Sequence, residues 1–304
     1  MTVFAGRVRT VWRRVDGILL LDKPLGLTSN QALQIVRRLF RAEKAGHTGS
    51  LDPMATGVLP LCFGEATKVA GFLLDADKRY VATVALGQRT NTGDREGEVI
   101  ASSPVPELNH ALLVDALSRF LGETSQIPPM YSALKRDGEA LYKIARRGET
   151  VEREPRAVRI SAIDLVGWSA AEVIFDVRCS KGTYVRTLGE DLALALGTVG
   201  HLSALRRTDV GDAFTRYPVH TLDALEALAG READLDGLLV AADVALGQWP
   251  SIQLGADDEG RFMHGQQIAV DAADGMVKVY GGSGRFLGLG QLRAGSVAPK
   301  RLFN

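Results

Sequence analysis

The chemistry of this chain concentrates around one carboxylate. Residues 46–60, GHTGSLDPMATGVLP, set Asp52 in an otherwise uncharged loop studded with glycine. Pro53 follows and restricts the Asp52 backbone. Gly46, Gly49 and Gly57 permit sharp turns and close approaches that a side chain would block. The chain then runs into Val58, Leu59, Leu61, Cys62 and Phe63, which read as a buried strand. A lone acid held rigidly at the mouth of an apolar wall is what a carboxylate nucleophile needs. Taken alone, an Asp before Pro reads first as the cap of a helix or turn.

The wider sequence separates these readings. GILLLDKPLGLTSN at 17–30, GHTGSLDPMATGVLPLCFGEATK at 46–68 and DKRYVATVALGQRTNTGDREG at 77–97 follow one another in order. PPMYSALKRDGEALYKIARRGETVEREPR at 128–156, SKGTYVRTLGEDL at 180–192 and HLSALRRTDVGDAF at 201–214 complete the series. Together they resemble the TruB-type pseudouridine synthases, the bacterial tRNA pseudouridine-55 synthases, over roughly residues 17 to 215. One departure is Asn91, where the family commonly carries Asp.

The resemblance implies a reaction and a cast of residues. Uridine 55 in the T arm of tRNA would be flipped out, cut from its ribose at N1, rotated and rejoined through C5. Asp52 matches the nucleophile, and attack at C1′, attack at C6 and a glycal route all stay open. Arg186 would keep Asp52 ionised and oriented. Tyr80 would stack on the uracil and assist removal of the C5 proton. Tyr184 and His47 would contact the target nucleotide, and Leu205 would form part of the pocket wall. Tyr184 and Arg186 would share a strand face if their segment is extended. Lys23 would support the catalytic loop or meet a phosphate. The isomerisation needs no redox change or energy source, so neither cofactor nor metal is expected.

Positioning these residues requires a mixed fold. Gly17 to Leu21, Val58 to Phe63, Tyr80 to Leu86, Val158 to Val166 and Glu172 to Cys179 read as strands. Thr28 or Ser29 caps a helix through Phe40, with Ala32, Ile35, Val36, Leu39 and Phe40 on its apolar face. Gln34, Arg37, Arg38 and Arg41 fall opposite. Leu108 to Phe120, Thr183 to Leu196 and Leu222 to Leu228 also read as helical. Strands mixed irregularly with helices suggest an α+β fold around a mainly antiparallel sheet. The resemblance implies the same, a pseudouridine synthase fold with its cleft at Asp52.

Two segments stand apart. Residues 128–156 carry seven Lys/Arg against five acids, with Tyr131 and Tyr142 interleaved. They read as a surface helix-loop, either idle or clamping a polyanion, and the resemblance favours an RNA clamp at about 126–156. After Trp249-Pro250 short β-type runs alternate with glycine, as in a small RNA-binding β-barrel of the PUA kind. The expected division is a catalytic domain over 1–248 and a PUA-like domain over 249–304.

Composition bounds the partners. Cys62 and Cys179 are the only cysteines, far apart and without metal-ligand spacing, as expected of a cytoplasmic protein. They read as small hydrophobes on strands. No apolar run reaches membrane length. Net charge is zero, yet residues 1–48 hold nine Lys/Arg (including Arg7 and Arg9) against three acids, and residues 222–246 hold six acids and only Arg231. Such a polarised chain can still present a basic groove to phosphates. The expected partner is tRNA, bound by a monomer without an obligatory protein partner. Three rivals compete with the enzyme reading. The first is an RNA chaperone that opens and refolds tRNA, which could coexist with catalysis. The second is a guide-RNA-dependent relative, disfavoured by the compact length and the 128–156 segment. The third is a glycosidase-like hydrolase, which wants a second carboxylate beside the first, and none is evident beside Asp52.

Overall fold

The run Gly17–Lys23 is apolar at nearly every position because it is buried on both faces. Ile18 and Leu20 point into one core, and Leu19 and Leu21 into another. The computed structural model of the protein describes residues 11–247 and 249–303. Arg7 and Arg9, part of the basic N-terminal stretch, lie outside the described residues.

Gly17–Lys23 belongs to a nine-stranded sheet. Across it run His220–Thr221, Gly17–Lys23, Ala55–Phe63, Gly200–Val210, Lys78–Leu86, Glu172–Cys179, Arg156–Trp168 and Gly122–Gln126. Ala45–His47 pairs with the end of Ala55–Phe63. Two pairings are parallel, Gly17–Lys23 with His220–Thr221 and Ala55–Phe63 with Gly200–Val210; the other main-sheet pairings are antiparallel. The α+β expectation is thereby met, and the expected strands appear with slightly longer ends. Cys62 and Cys179 sit buried on two of them, where burial lifts their thiols to about 12 and about 11.

The Gly200–Val210 strand has no counterpart in the sequence reading, although it lies at the centre of the sheet. Irregularities at 202/204 and 207/209 interrupt its pairing with Lys78–Leu86. Arg206, Arg207 and Asp209 also give it a polar look, yet Arg207 is only 1 % exposed.

The first core lies under the helices Ser29–Leu39, His110–Ser118 and Val185–Ala195. Thr28 caps the first through a reciprocal box with Gln31. The cap of the second is Asn109, so that helix starts later than its apolar pattern suggests.

The last five strands, Ser251–Gln253, Gly275–Tyr280, Phe286–Arg293, Ser296–Leu302 and Ile268–Ala269, pair in that order. They enclose Phe262, Val279, Leu287 and Val297 with the helix Ala256–Met263, which the sequence reading lacks. Leu289 and Phe303 instead join the second core, beside Ile18, Val69 and Leu246. The C-terminal sheet is thus packed onto the main body.

The charge polarity is partly consumed inside the protein. Arg13 holds Asp236 through two hydrogen bonds of 2.7 and 2.6 Å, and Arg41 pairs with Glu232. Arg41 therefore ties the basic half to the acidic segment. Among the described residues no helix is long and apolar enough to cross a membrane.

Candidate active site

Asp52 sits in the loop between Ala45–His47 and Ala55–Phe63. Three ties fix that loop. The Asp52 carbonyl accepts the Ala55 N–H at 3.0 Å, and the Pro53 carbonyl accepts Gly26 N–H at 2.8 Å. The Ser29 hydroxyl accepts Leu51 N–H at 2.7 Å. Gly49 and Gly57 adopt φ of 109° and 104°, which favour glycine, whereas Gly46 does not need that freedom. A Cβ on Gly57 would lie 2.1 Å from the Arg207 carbonyl. That contact follows from register, since Arg207 stands opposite Gly57 on one side and Tyr80 on the other.

The Arg186 guanidinium meets the Asp52 carboxylate, Nε to Oδ2, at 3.0 Å. Arg186 does not share a strand face with Tyr184. Tyr184 is the N-cap of the helix Val185–Ala195, and Arg186 lies in its first turn. Gln126 fixes this junction by accepting Tyr184 N–H at 3.0 Å and donating to the Tyr184 carbonyl at 3.3 Å. Helical geometry turns Arg186 inward, where it is 5 % exposed. Its Nη1 donates to Thr92 carbonyl at 2.9 Å and its Nη2 to Tyr131 carbonyl at 2.6 Å.

A second carboxylate, unseen in the sequence reading, stands behind Arg186. Asp94 Oδ2 is 3.5 Å from Arg186 Nη1, and both side chains are only 6 % exposed. The Thr92 hydroxyl and the Glu96 N–H donate to Asp94 Oδ1 at 2.6 and 3.0 Å. Asn91, the departure from the family pattern, merely closes a turn by accepting Glu98 N–H. Asp94 does not line the Asp52 cleft, so it is not the paired acid a glycosidase needs. The sequence signal for it was its place in TNTGDREG, a turn dense in polar groups.

Burial raises the Asp52 carboxyl above its ordinary range; Arg186 and Lys23 oppose the rise, and Asp94 adds to it. Burial likewise raises the Tyr80 phenol, which the Arg207 guanidinium draws back down. Besides the Tyr80 phenol, Arg207 donates to two carbonyls, Nε to Val58 at 2.7 Å and Nη2 to Gly49 at 3.2 Å. It thus pins the nucleophile loop to the sheet, a task the sequence reading missed. Lys78 is a second missed cation, with Nζ on the Leu74 and Ala76 carbonyls at 2.6 Å each.

Asp52, Tyr80, Tyr184, Arg186 and Leu205 line one cleft of about 450 Å³. Lys23 and His47 stand outside that lining. Lys23 is fully buried, its Nζ on Pro24 and Leu27 carbonyls at 2.9 and 2.6 Å, and burial lowers it to about 8. The ammonium is therefore turned away from any phosphate and braces the 24–27 turn. Burial also lowers His47, with Arg207 adding to the effect, and its Nδ1 is buried without a hydrogen-bond partner.

The 128–156 segment reaches the site directly. Ser132, Ala133 and Leu134 line the cleft, and the Tyr131 carbonyl holds Arg186. Beyond them come a two-strand ladder, Lys135–Arg136 with Glu139–Ala140, and the helix Leu141–Arg146.

Comparison with known proteins agrees with this geometry. Residues 37–185 match the profile of the TruB family pseudouridylate synthase N-terminal domain. Residues 186–247 match the tRNA pseudouridylate synthase B C-terminal domain, and 250–303 match the C-terminal unit of pseudouridine synthase II TruB. The chain is 51% identical to tRNA pseudouridine synthase B of Burkholderia mallei, over 99% of this chain and 98% of the relative. It is 48% identical to the enzyme of that name from a Marinomonas species, over 98% of each chain. In three dimensions it resembles a chain of the Cbf5-Nop10-Gar1 complex, with a TM-score of 0.72 and 25% identity over 95% of this chain and 85% of the other. With full-length relatives about half identical, the chain belongs to the TruB family of pseudouridine synthases.

Proposed function

We propose that this enzyme isomerises uridine 55 in the T arm of tRNA to pseudouridine, with Asp52 as nucleophile. The observation that carries the reading is the Asp52–Arg186 pair at 3.0 Å, opening on a cleft walled by Tyr80 and Leu205. The flipped uridine enters this cleft and stacks on Tyr80, with Tyr184 and His47 as further contacts. Flipping costs a few kcal/mol, offset by stacking and backbone contacts. Asp52, as the ionised carboxylate, attacks C1′ or C6 or supports a glycal route while the C1′–N1 bond breaks, and any bond it forms is broken again before the product leaves. The detached base turns within the apolar walls and C5 bonds to C1′. C5 then gives up its proton, with Tyr80 assisting, and N1 gains one. Arg186 orients Asp52 and stabilises its charge; Lys23 and Arg207 act as positioning residues.

The division into a catalytic domain over 1–248 and a PUA-like module over 249–304 is part of the same reading. It is supported by the separate five-stranded sheet. Residues 126–156 form the RNA clamp. The enzyme works on tRNA in the cytoplasm as a monomer without an obligatory protein partner, and a tRNA-folding role accompanies catalysis. Identity of about 50% to relatives named tRNA pseudouridine synthase B, against 25% to a chain of the Cbf5-Nop10-Gar1 complex, supports action on tRNA without a guide RNA.

The test is tritium release from unmodified tRNA carrying 5-³H-uridine, with wild type and Asp52→Asn side by side. Release by wild type alone, confined to the T-loop uridine, is expected. Release by Asp52→Asn at the wild-type rate would overturn the assignment of the nucleophile.

A further inference from the structure

A second cavity, of about 630 Å³, opens where the main body meets the C-terminal sheet. It is larger than the cleft of about 450 Å³ at Asp52. The two are separated by one stretch of chain. Phe72, Leu73, Asp75 and Ala76 line the junction cavity, while Leu74 and Lys78 line the catalytic cleft. Lys78 stiffens this shared wall by capping the Leu73, Leu74 and Ala76 carbonyls.

The chemistry of the cavity is that of a base pocket. Its apolar side carries Phe72 and Trp249, edge to face at 4.9 Å, with half-buried Tyr217 nearby. Such rings offer a stacking surface for a nucleobase. Its polar side is rich in acceptors. Asp243 receives the Tyr280 hydroxyl at 2.7 Å on Oδ2, and Asp212 and Asp75 stand at the edge. Carboxylates accept from exocyclic amines, which cytosine, adenine and guanine carry and uracil lacks. Exposed Arg216, which forms no ion pair among the described residues, supplies a cation for a phosphate. Asp75 and Asp212 are each held by an exposed cation, Lys181–Asp75 at 2.8 Å and Arg178–Asp212 at 2.9 Å. These cations can exchange a surface carboxylate for a backbone phosphate at small cost.

We infer that the junction cavity receives one unpaired amino-bearing base (cytosine, adenine or guanine) of an RNA strand continuing out of the catalytic cleft. The inference rests on the RNA-modifying reading above. That reading assigns the cleft to uridine; the junction cavity selects against uridine and lies outside the reacting atoms.

The experiment uses the full chain and fluorescently labelled RNA hexamers that carry one uridine for the cleft followed by a run of cytidine, adenosine or uridine. These are titrated and followed by anisotropy, with a separate T-arm hairpin as the turnover substrate. The cytidine and adenosine hexamers are expected to bind about tenfold more tightly than the uridine hexamer. Trp249→Leu should weaken their binding by about tenfold through lost stacking. Arg216→Ala should weaken all hexamers and flatten their salt dependence. Equal binding of the uridine hexamer, or binding untouched by both substitutions, would overturn the inference. Should Trp249→Leu lose its cooperative melting transition, surface-exposed Arg216→Ala decides alone. Wild-type turnover of the hairpin is measured in parallel. Its absence would sink the functional reading, whereas hexamer selectivity without turnover would leave the cavity standing.

Discussion

Arg186 joins the nucleophile loop to the clamp: its Nε faces Asp52 Oδ2 at 3.0 Å while its Nη2 donates to the Tyr131 carbonyl at 2.6 Å. The position of the 128–156 segment and the orientation of the nucleophile are therefore read by one guanidinium. Arg186→Ala is expected to lower kcat by about a hundred- to a thousand-fold, the usual cost of losing a preorganised electrostatic partner. Arg186→Lys keeps the charge but loses the planar fork, so it should recover only a small part of the rate. Single-turnover tritium release on both variants checks this, and full activity in Arg186→Lys would refute the geometric argument.

Asp94 should tune the pH profile. Burial raises Asp52, so the acid limb of kcat/KM should lie above the ordinary carboxylate range. The negative charge of Asp94 disfavours ionisation of Asp52 and adds to that rise. Asp94→Asn removes this charge, so the limb should move to lower pH even as kcat falls from loosened Arg186. A limb that stays put or moves upward in the variant would contradict the arrangement.

The cations of the clamp should not contribute equally to RNA binding. Arg147 is occupied by Glu139 and Glu149, and Arg153 donates to the Pro128 carbonyl. Lys135 and Lys143 form no ion pair among the described residues. Lys135→Ala and Lys143→Ala are each expected to reduce the salt slope of tRNA binding by about 1. Arg147→Ala should change it less. Filter binding across a salt series measures all three.

Gly57 and Arg207 should be structurally coupled. Gly57→Ala places a Cβ 2.1 Å from the Arg207 carbonyl at a φ of 104°. The backbone strain alone costs about 1–3 kcal/mol, and the clash adds to it. Arg207→Met leaves the Val58 and Gly49 carbonyls without their donor, at about 1–3 kcal/mol for each buried group. Thermal melts should fall in both variants. Because Arg207 pins the loop and meets the Tyr80 phenol, Arg207→Met should also lower kcat.

Much of the site was legible along the chain because its residues occupy short, rigid, compositionally odd strings. Asp52 before Pro53, between glycines and a buried strand, is a local arrangement, and local sterics suffice to suggest it. The two-sided burial of Ile18 to Leu21 was likewise written in an apolar run of strand length. Tyr184 and Arg186 show the limit: their spacing suited a strand, but the Tyr184 cap starts a helix and swings Arg186 inward.

What only the tertiary structure decided is which charges are buried together. Arg207 and Lys23 look like surface cations in sequence, yet they lie in the sheet with carbonyls as partners. Asp94 lies 42 positions from Asp52 in the chain and meets it only through Arg186. Arg13 and Arg41 of the basic N-terminal stretch close on Asp236 and Glu232, partners that lie far along the chain. Periodicity reports which side chains leave water, because burial of apolar groups follows a regular spacing. It carries no record of which distant charge compensates another, because that depends on strand order and on a separation of a few ångströms.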